Sequence, residues 1–299
     1  MGTKIVSKTF LNPDKTVFEM VVEAPLVAKK AQGGNFVILR IDETGERIPL
    51  TVADYDKEKG TITMVVMSVG KSTTQISKLE PGDEILDFIG PLGNKAHIKK
   101  FEHPIVFLGG GVGIAPCYPQ AKEMKEVGNH VIAILSARTK NLLFWEEKFR
   151  EFCDEVFITT DDGTLGMKGF GVDKLKELML ERPLSQVIAI GPMIMMKFVT
   201  LLTNGKKDLP LIPTIVSLNT LMVDGTGMCG GCRFQTLHGE TKFACVDGPD
   251  VDGHDVDFDN LLKRNTRFVR VEKIRLEKYN EQCRAIGKFC EEKEMEGSE

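Results

Sequence analysis

From Ile5 to about Lys99, apolar residues come in short bursts separated by turn formers. Phe36-Val37-Ile38-Leu39-Arg40-Ile41 and Thr61-Ile62-Thr63-Met64-Val65-Val66 are rich in β-branched side chains, and Gly33-Gly34, Glu43-Thr44-Gly45, Glu58-Lys59-Gly60 and Pro81-Gly82-Asp83 punctuate them. Short strands at this spacing predict a small antiparallel β barrel over residues 1–100. The texture changes at Pro104. Ile105-Val106-Phe107-Leu108 is a continuous apolar run of the kind buried in a parallel sheet. Helices are expected from about Cys117 to Val127, around Leu142 to Glu151 and from Val172 to Leu180. Strands are expected at His130–Leu135, Val156–Thr159 and Gln186–Ile190. That alternation predicts a doubly wound α/β domain over 101–220.

The alternation stops after about Leu211. Residues 221–262 form a small module whose first part, 221–253, is rich in Gly, Asp and Cys. With few apolar residues, it is expected to need something other than a hydrophobic core to hold it. Residues 263–299 read as a charged helical tail ending in Glu291-Glu292-Lys293-Glu294, expected to be solvated.

Composition narrows the classes. The 299 residues carry 39 Lys+Arg against 43 Asp+Glu, a net charge of −4, which offers no overall basic footprint for nucleic acid. No apolar stretch approaches the ~18 to 20 residues that span a bilayer. The first residues are too polar for a signal peptide, so a cytoplasmic protein without membrane or nucleic-acid partners is expected. Five histidines, none in a triad context, make hydrolysis a poor fit.

Leu108-Gly109-Gly110-Gly111-Val112-Gly113-Ile114-Ala115-Pro116 joins a predicted strand to a predicted helix. Glycines let backbone approach a pyrophosphate, and the helix N-terminus offers free N–H groups. The fingerprint is incomplete: Pro116 stands where a third glycine would, and Ala133-Ile134-Leu135 occupies the place of the usual ribose-binding acid. Thr160-Asp161-Asp162-Gly163 and Gly191-Pro192-Met193 also follow predicted strands, where such sheets bind ligands. Arg138 ends the second strand, placed to meet a 2′-phosphate or an adenine, so NAD(H) and NADP(H) both stay open.

Seven cysteines, an odd number, argue for metal, catalysis or buried thiols over a disulfide framework. Asp224-Gly225-Thr226-Gly227-Met228-Cys229-Gly230-Gly231-Cys232, followed by Cys245, reads D-x4-C-x2-C-x12-C. The plant-type [2Fe–2S] spacing is C-x4-C-x2-C and a distant cysteine, so Asp224 occupies the first ligand's slot. Asp224, Cys229, Cys232 and Cys245 are therefore the candidate iron ligands, with Asp224 either a ligand or only a cap to the turn. Structural zinc is the rival, with His238 and His254 to complete a set. Cys283 and Cys290 are expected to share a helical face and pack against the body or a partner. Cys117 and Cys153 are expected to be ordinary thiols.

The Gly-x-Gly-x-x-Pro loop resembles the nucleotide domain of the ferredoxin–NADP reductase superfamily, in which that domain follows an FAD-binding barrel. In that light Arg47-Ile48-Pro49-Leu50-Thr51 resembles the first flavin motif. The resemblance implies that Arg47 meets the FAD phosphate, that Pro49 and Leu50 lie along the flavin, and that Thr51 lies near N5. Leu50 replaces the commoner tyrosine. Gly70-Lys71-Ser72-Thr73 resembles the second motif, which implies a role for Gly70, Lys71, Ser72 and Thr73 at the pyrophosphate. By the same likeness Gly110, Gly111, Val112, Gly113, Arg138, Asp161, Asp162, Gly191, Pro192 and Met193 would hold NAD(P). Ile190 stands where many relatives carry a cysteine.

Barrel, nucleotide domain and C-terminal [2Fe–2S] module in this order resemble the electron-transfer subunits of dihydroorotate dehydrogenase. The Asp224 variant is more similar to the small subunits of electron-bifurcating NADH-dependent ferredoxin:NADP oxidoreductases, also called sulfide dehydrogenase subunits. The resemblance covers essentially the whole chain. It implies FAD, a [2Fe–2S] cluster and NAD(H) or NADP(H) as cofactors, a larger flavin/iron–sulfur subunit as heterodimer partner, and ferredoxin as an indirect one. A non-catalytic redox-sensing flavoprotein is the alternative from another class.

Overall fold

The computed structural model describes residues 2–206 and 208–296, with side chains considered through Arg284. The N-terminal part comprises β1 (Thr3–Phe10), β2 (Val17–Glu23), α1 (Pro25–Ala28), β3 (Phe36–Arg40), β4 (Ile48–Thr51), β5 (Asp54–Asp56), β6 (Thr61–Met67), α2 (Lys71–Ile76), β7 (Glu84–Ile85) and β8 (Asp87–Leu92). The strands form two antiparallel sheets, β5-β6-β2-β1-β7 and β4-β3-β8. Alternation along β6 buries Ile62, Met64 and Val66 against Phe18, Met20, Val37 and Leu39. Burying each such side chain is worth about 1.5–3 kcal/mol. This is the expected barrel.

The second part holds β9 (Ile105–Gly110), α3 (Ile114–Glu126), β10 (Val131–Ala137), α4 (Glu146–Arg150), β11 (Glu155–Thr160), β12 (Met167–Lys168), α5 (Gly171–Glu181), β13 (Gln186–Ile190), α6 (Met193–Leu202) and β14 (Thr214–Ser217). The sheet order is β12-β11-β10-β9-β13-β14, parallel throughout. β9 and β10 are buried at every position, as the unbroken apolar runs require. The chain reverses direction across the sheet between β9 and β13, which opens a crevice at their C-terminal ends.

The helix expected over Leu142–Glu151 is only α4. Phe144 and Trp145 pack their rings against the α3 layer instead, with Trp145 in the left-handed region at φ 62°.

The remaining chain contributes β15 (Arg233–Gln235), β16 (Thr241–Phe243), α7 (Ala244–Asp247), β17 (Asp250–Asp252), α8 (Phe258–Asn265) and α9 (Val269–Glu296). The segment 221–253 has no core of its own, as expected, but the expectation that something other than a hydrophobic core holds it needs correcting. Met222, Cys232, Phe234, Ala244 and Cys245 are buried in one cluster with Val106, Ile132, Val187 and Met196 of the α/β layer. β17 also pairs antiparallel with β14 as the last strand of the large sheet. The module borrows the neighbouring core, a tertiary arrangement invisible to local composition.

The near half of α9 is no free tail. Arg275 pairs with Glu46, and Lys78 Nζ lies 3.0 Å from Cys283 Sγ and over the Tyr279 ring at 4.6 Å. Those contacts pin α2 and the loop before β4. Cys283 thus packs on the body, while the Cys290 side chain lies outside the described residues. Among the described residues no helix is long and apolar enough to cross a membrane.

Candidate flavin, nucleotide and cluster site

A cavity of about 1630 Å³ runs between the barrel and the C-terminal ends of the parallel strands. It exceeds the roughly 300–1,000 Å³ of a typical single-ligand site, so it has room for two ligands side by side. Ile48, Pro49, Leu50, Thr51 and Thr73 line it from the barrel. Gly110, Gly111, Val112, Gly113, Arg138, Asp161, Gly191 and Pro192 line it from the α/β layer. The motifs read separately in the sequence therefore face one space.

The glycines divide their work. Gly111 has φ +57° and nothing within 4 Å of where a Cβ would stand, so it presents bare backbone to the cavity. Gly113 serves packing instead: a Cβ there would collide with the Ile190 carbonyl, 2.5 Å from its carbon and 2.7 Å from Gly191 Cα. A Cβ on Gly191 would come within 3.0 Å of Gly110 Cα. Two loops that each look suited to a ligand are thus also locked backbone to backbone.

Not every candidate lines the cavity. Arg47 is exposed, and Gly70, Lys71, Ser72, Met193 and Asp162 lie outside the lining. Ser72 Oγ donates to Glu46 Oε2 at 2.7 Å, and Thr73 Oγ1 accepts from Gly70 N at 3.0 Å, closing the start of α2. Asp162 Oδ1 accepts from Thr164 and shapes the turn after β11.

Sequence reasoning missed several lining residues. Ile194, Phe198 and Leu201 of α6 are half exposed and turn an apolar face to the cavity. Lys176, Lys206, Ser217 and Pro249 also line it. None sits in a motif; only the winding of the sheet brings them together.

The cysteine loop closes as two pairs. Asp224 Oδ2 accepts from Thr226 Oγ1 (2.9 Å), Met228 N (2.8 Å) and Cys229 N (3.2 Å), while Cys229 Sγ donates to Oδ1 at 3.0 Å. The Cys229 contact first, then Thr226 and the backbone donors, hold its carboxyl well below the usual range. The second pair is Cys232 and Cys245, with sulfurs 3.2 Å apart. Cys232 and Cys245 are buried and Cys229 is exposed. Burial and the neighbouring Cys232 raise the Cys245 thiol. The two pairs suit a two-iron cluster with two protein ligands per iron. The histidines of the zinc reading are occupied elsewhere: His254 Nε2 lies 3.0 Å from Thr203 Oγ1, and His238 faces Asp255 on an exposed turn. Among the described residues no three His, Cys, Asp or Glu converge on one point.

Asp250 sits where barrel, α3 and cluster module meet. Its Oδ2 accepts from Gln120 Nε2 at 2.9 Å, and its Oδ1 is sealed from solvent with no aligned partner, although the residue as a whole is half-buried. Burial pushes its pKa up to about 6. A carboxyl raised in the fold stabilises it fully only below the unfolded pKa of about 4, and that contribution is lost as pH rises through about 6. Asp250→Asn should therefore raise the melting temperature at pH 7, by up to about 3 kcal/mol of stability, with the gain vanishing toward pH 4. Thermal melts at both pH values check this, and a gain that persists at pH 4 contradicts it.

The model for the iron–sulfur cluster binding domain of dihydroorotate dehydrogenase B matches residues 219–257. The electron-transfer subunit homologue of dihydroorotate dehydrogenase B (NAD(+)) from Thermotoga maritima is 48% identical, with 92% of this chain and 95% of that protein aligned. An uncharacterized protein from Clostridium beijerinckii is 50% identical over 89% and 90%. The solved structure of an NADH-dependent reduced ferredoxin-NADP oxidoreductase, studied for flavin-based electron bifurcation, is 46% identical. It superposes with a TM-score of 0.86 over 93% of this chain and 98% of that one. Phthalate dioxygenase reductase, at 15% identity and a TM-score of 0.56, shares the fold alone. The chain belongs to the family of electron-transfer subunits of dihydroorotate dehydrogenase B and their homologues.

Proposed function

We propose that this chain is an oxidoreductase subunit that passes electrons between NAD(P)H, FAD and a [2Fe–2S] cluster. Its partner is a larger flavin/iron–sulfur subunit in a bifurcating ferredoxin:NADP oxidoreductase, which exchanges electrons with ferredoxin. One observation carries the reading: a single cavity joins the Leu50–Thr51 edge of the barrel, the glycine loop at Gly111 and, at Met222 and Pro249, the module of the paired ligands. Reduced thiols in such a module suit a cytoplasmic setting.

FAD, when bound here, would supply the conversion between a two-electron hydride and the single electrons of a cluster. The chain's own residues do the rest. Leu50 and Thr51 present one apolar and one hydroxyl surface to the barrel side of the cavity. The bare backbone of Gly111 and the start of α3 receive a pyrophosphate, and Arg138 stands free at the end of β10 for a ribose or its phosphate. Ile194, Phe198 and Leu201 keep water from the reacting faces. The backbone N–H groups of Lys71 and Ser72 at the start of α2, with the exposed Arg47 before β4, serve as phosphate-side contacts. Asp224 with Cys229, and Cys232 with Cys245, would hold the two irons.

Asp224 as ligand puts a hard carboxylate on one iron. Asp224→Cys should then change the EPR spectrum and midpoint potential of the cluster. An unchanged spectrum would reduce Asp224 to a cap on the turn. The proposal as a whole is tested by anaerobic purification of the complex with iron, acid-labile sulfide and flavin analysis, followed by NAD(P)H bleaching of the flavin. Bleaching separates a catalyst from a sensor. The matching iron–sulfur domain favours a second reading, an electron-transfer subunit serving dihydroorotate oxidation. The identity of the co-purifying large subunit decides between the two.

A further inference from the structure

Ser217 and Asp250 face each other across the antiparallel β14/β17 pair, and Leu218 N donates to Pro249 O at 2.9 Å to fix that register. Ser217 and Pro249 line the large cavity, whereas Asp250 lies one step behind them. The Asp250 surroundings are unusually poor in charge. From α3 come Gln120, which donates to Oδ2, and the fully buried Cys117; from β14 comes Ser217. From the barrel comes the Gly33–Gly34 turn, where a Cβ on Gly34 would meet Oδ2 at 3.1 Å. The nearby acid on α3, Glu123, is engaged with Gly33 N and the Tyr55 hydroxyl. No cation compensates Asp250 among the described residues. A structural carboxylate at a junction normally has all its acceptors filled or a cation beside it. Asp250 has no cation, and no aligned hydrogen bond reaches Oδ1, although the Ser217 hydroxyl opposite is near enough to lower its pKa.

Electron transfer through this cavity has a proton balance that the residues placed so far leave open. A hydride brings two electrons and one proton, and only the electrons can leave toward a cluster. One proton per two electrons must therefore depart from the flavin side of the cavity. With flavin and nucleotide both in the cavity, that space would be shielded from bulk water.

We propose that Ser217 and Asp250 form a proton relay that serves the flavin side of this cavity, with Asp250 Oδ1 as the temporary acceptor. This rests on the flavin reading above. The Ser217 hydroxyl gains the departing proton as its own passes to Asp250 Oδ1. One O–H bond forms on the carboxylate, and the serine O–H is remade in the same exchange, so no charge is left on the serine. Once nucleotide has left the cavity, the carboxylic acid returns the proton to water by the same route. In the reverse direction Asp250 supplies the proton. A carboxyl pKa pushed up to about 6 by burial suits a group that must both accept and release a proton near neutrality. The free-energy cost of keeping Asp250 at the junction then has a functional reason.

The test uses the complete complex and separates two half-reactions by stopped flow. With Asp250→Asn, which keeps shape and the Gln120 contact, flavin reduction by NAD(P)H should stay within about twofold, while reoxidation by the cluster slows at least about tenfold with a larger solvent isotope effect. Ser217→Ala should slow reoxidation likewise, and Ser217→Thr should restore it. In the wild-type complex reoxidation should fall as pH drops below about 6, and that fall should be absent in Asp250→Asn. Reoxidation at the wild-type rate, with the pH profile and isotope effect intact, overturns the relay. Should Asp250→Asn fail to fold, the Ala and Thr variants at Ser217 decide: equal rates for both overturn it. Absence of any NAD(P)H bleaching in the wild-type complex would instead overturn the flavin reading itself.

Discussion

In Cys232→Ser the iron–sulfur signal should disappear, and electron delivery to any acceptor beyond the flavin should fall by at least about 100-fold, or about 2.7 kcal/mol of barrier. Cys232 is 1% exposed, its sulfur lies 3.2 Å from Cys245, and its carbonyl accepts from Ala244 N at 3.2 Å. Serine offers a harder oxygen on a shorter bond and, in a buried pocket, a hydroxyl that needs a partner. The flavin half should survive. NAD(P)H should still bleach the variant's visible absorbance while ferredoxin-linked turnover is lost. If both halves fail together, Cys232 is chiefly a core residue, which its place among Phe234 and Met196 makes a real competitor.

Gly113→Ala should do the reverse. The added methyl would stand 2.5 Å from the Ile190 carbonyl carbon and 2.7 Å from Gly191 Cα, so backbone must move rather than a pliable side chain. Both loops facing the nucleotide end of the cavity would shift. The expected result is a loss of at least about 100-fold in kcat/KM for NAD(P)H, since misplacement by about 1 Å is enough for such a cost. The cluster's EPR spectrum after chemical reduction should stay unchanged. Gly111→Ala is the informative contrast. Nothing lies within 4 Å of its Cβ position, so a defect there reports on φ +57° and the approach of a ligand, not on loop packing.

Much of this organisation could be read from the chain because the signals were local. Ile105–Leu108 followed by a glycine loop is a strand entering a helix wherever it occurs, and the segment that carries Cys229, Cys232 and Cys245 matches an iron–sulfur cluster binding domain. The unread parts are tertiary. Met222 and Phe234 looked too sparse to make a core, and they do not make one alone; they complete that of the neighbouring layer. Leu143–Trp145 looked helical because apolar spacing cannot distinguish a helix face from an irregular segment that covers a core. The Ser217–Asp250 pair carries no motif, since two residues more than thirty positions apart become neighbours only when β17 docks on β14. Arg47 shows the opposite lesson. Its motif reads clearly, yet its side chain is exposed and outside the cavity lining.

The most direct measurement mixes the anaerobically purified holoprotein with one equivalent of NAD(P)H and follows flavin absorbance and freeze-quenched EPR together. The flavin should bleach first, and a reduced [2Fe–2S] signal should then grow to one per chain as the flavin gives up one of its two electrons. Stoichiometric zinc without acid-labile sulfide, or a bleached flavin beside a cluster that never becomes reduced, would contradict electron transfer through this chain.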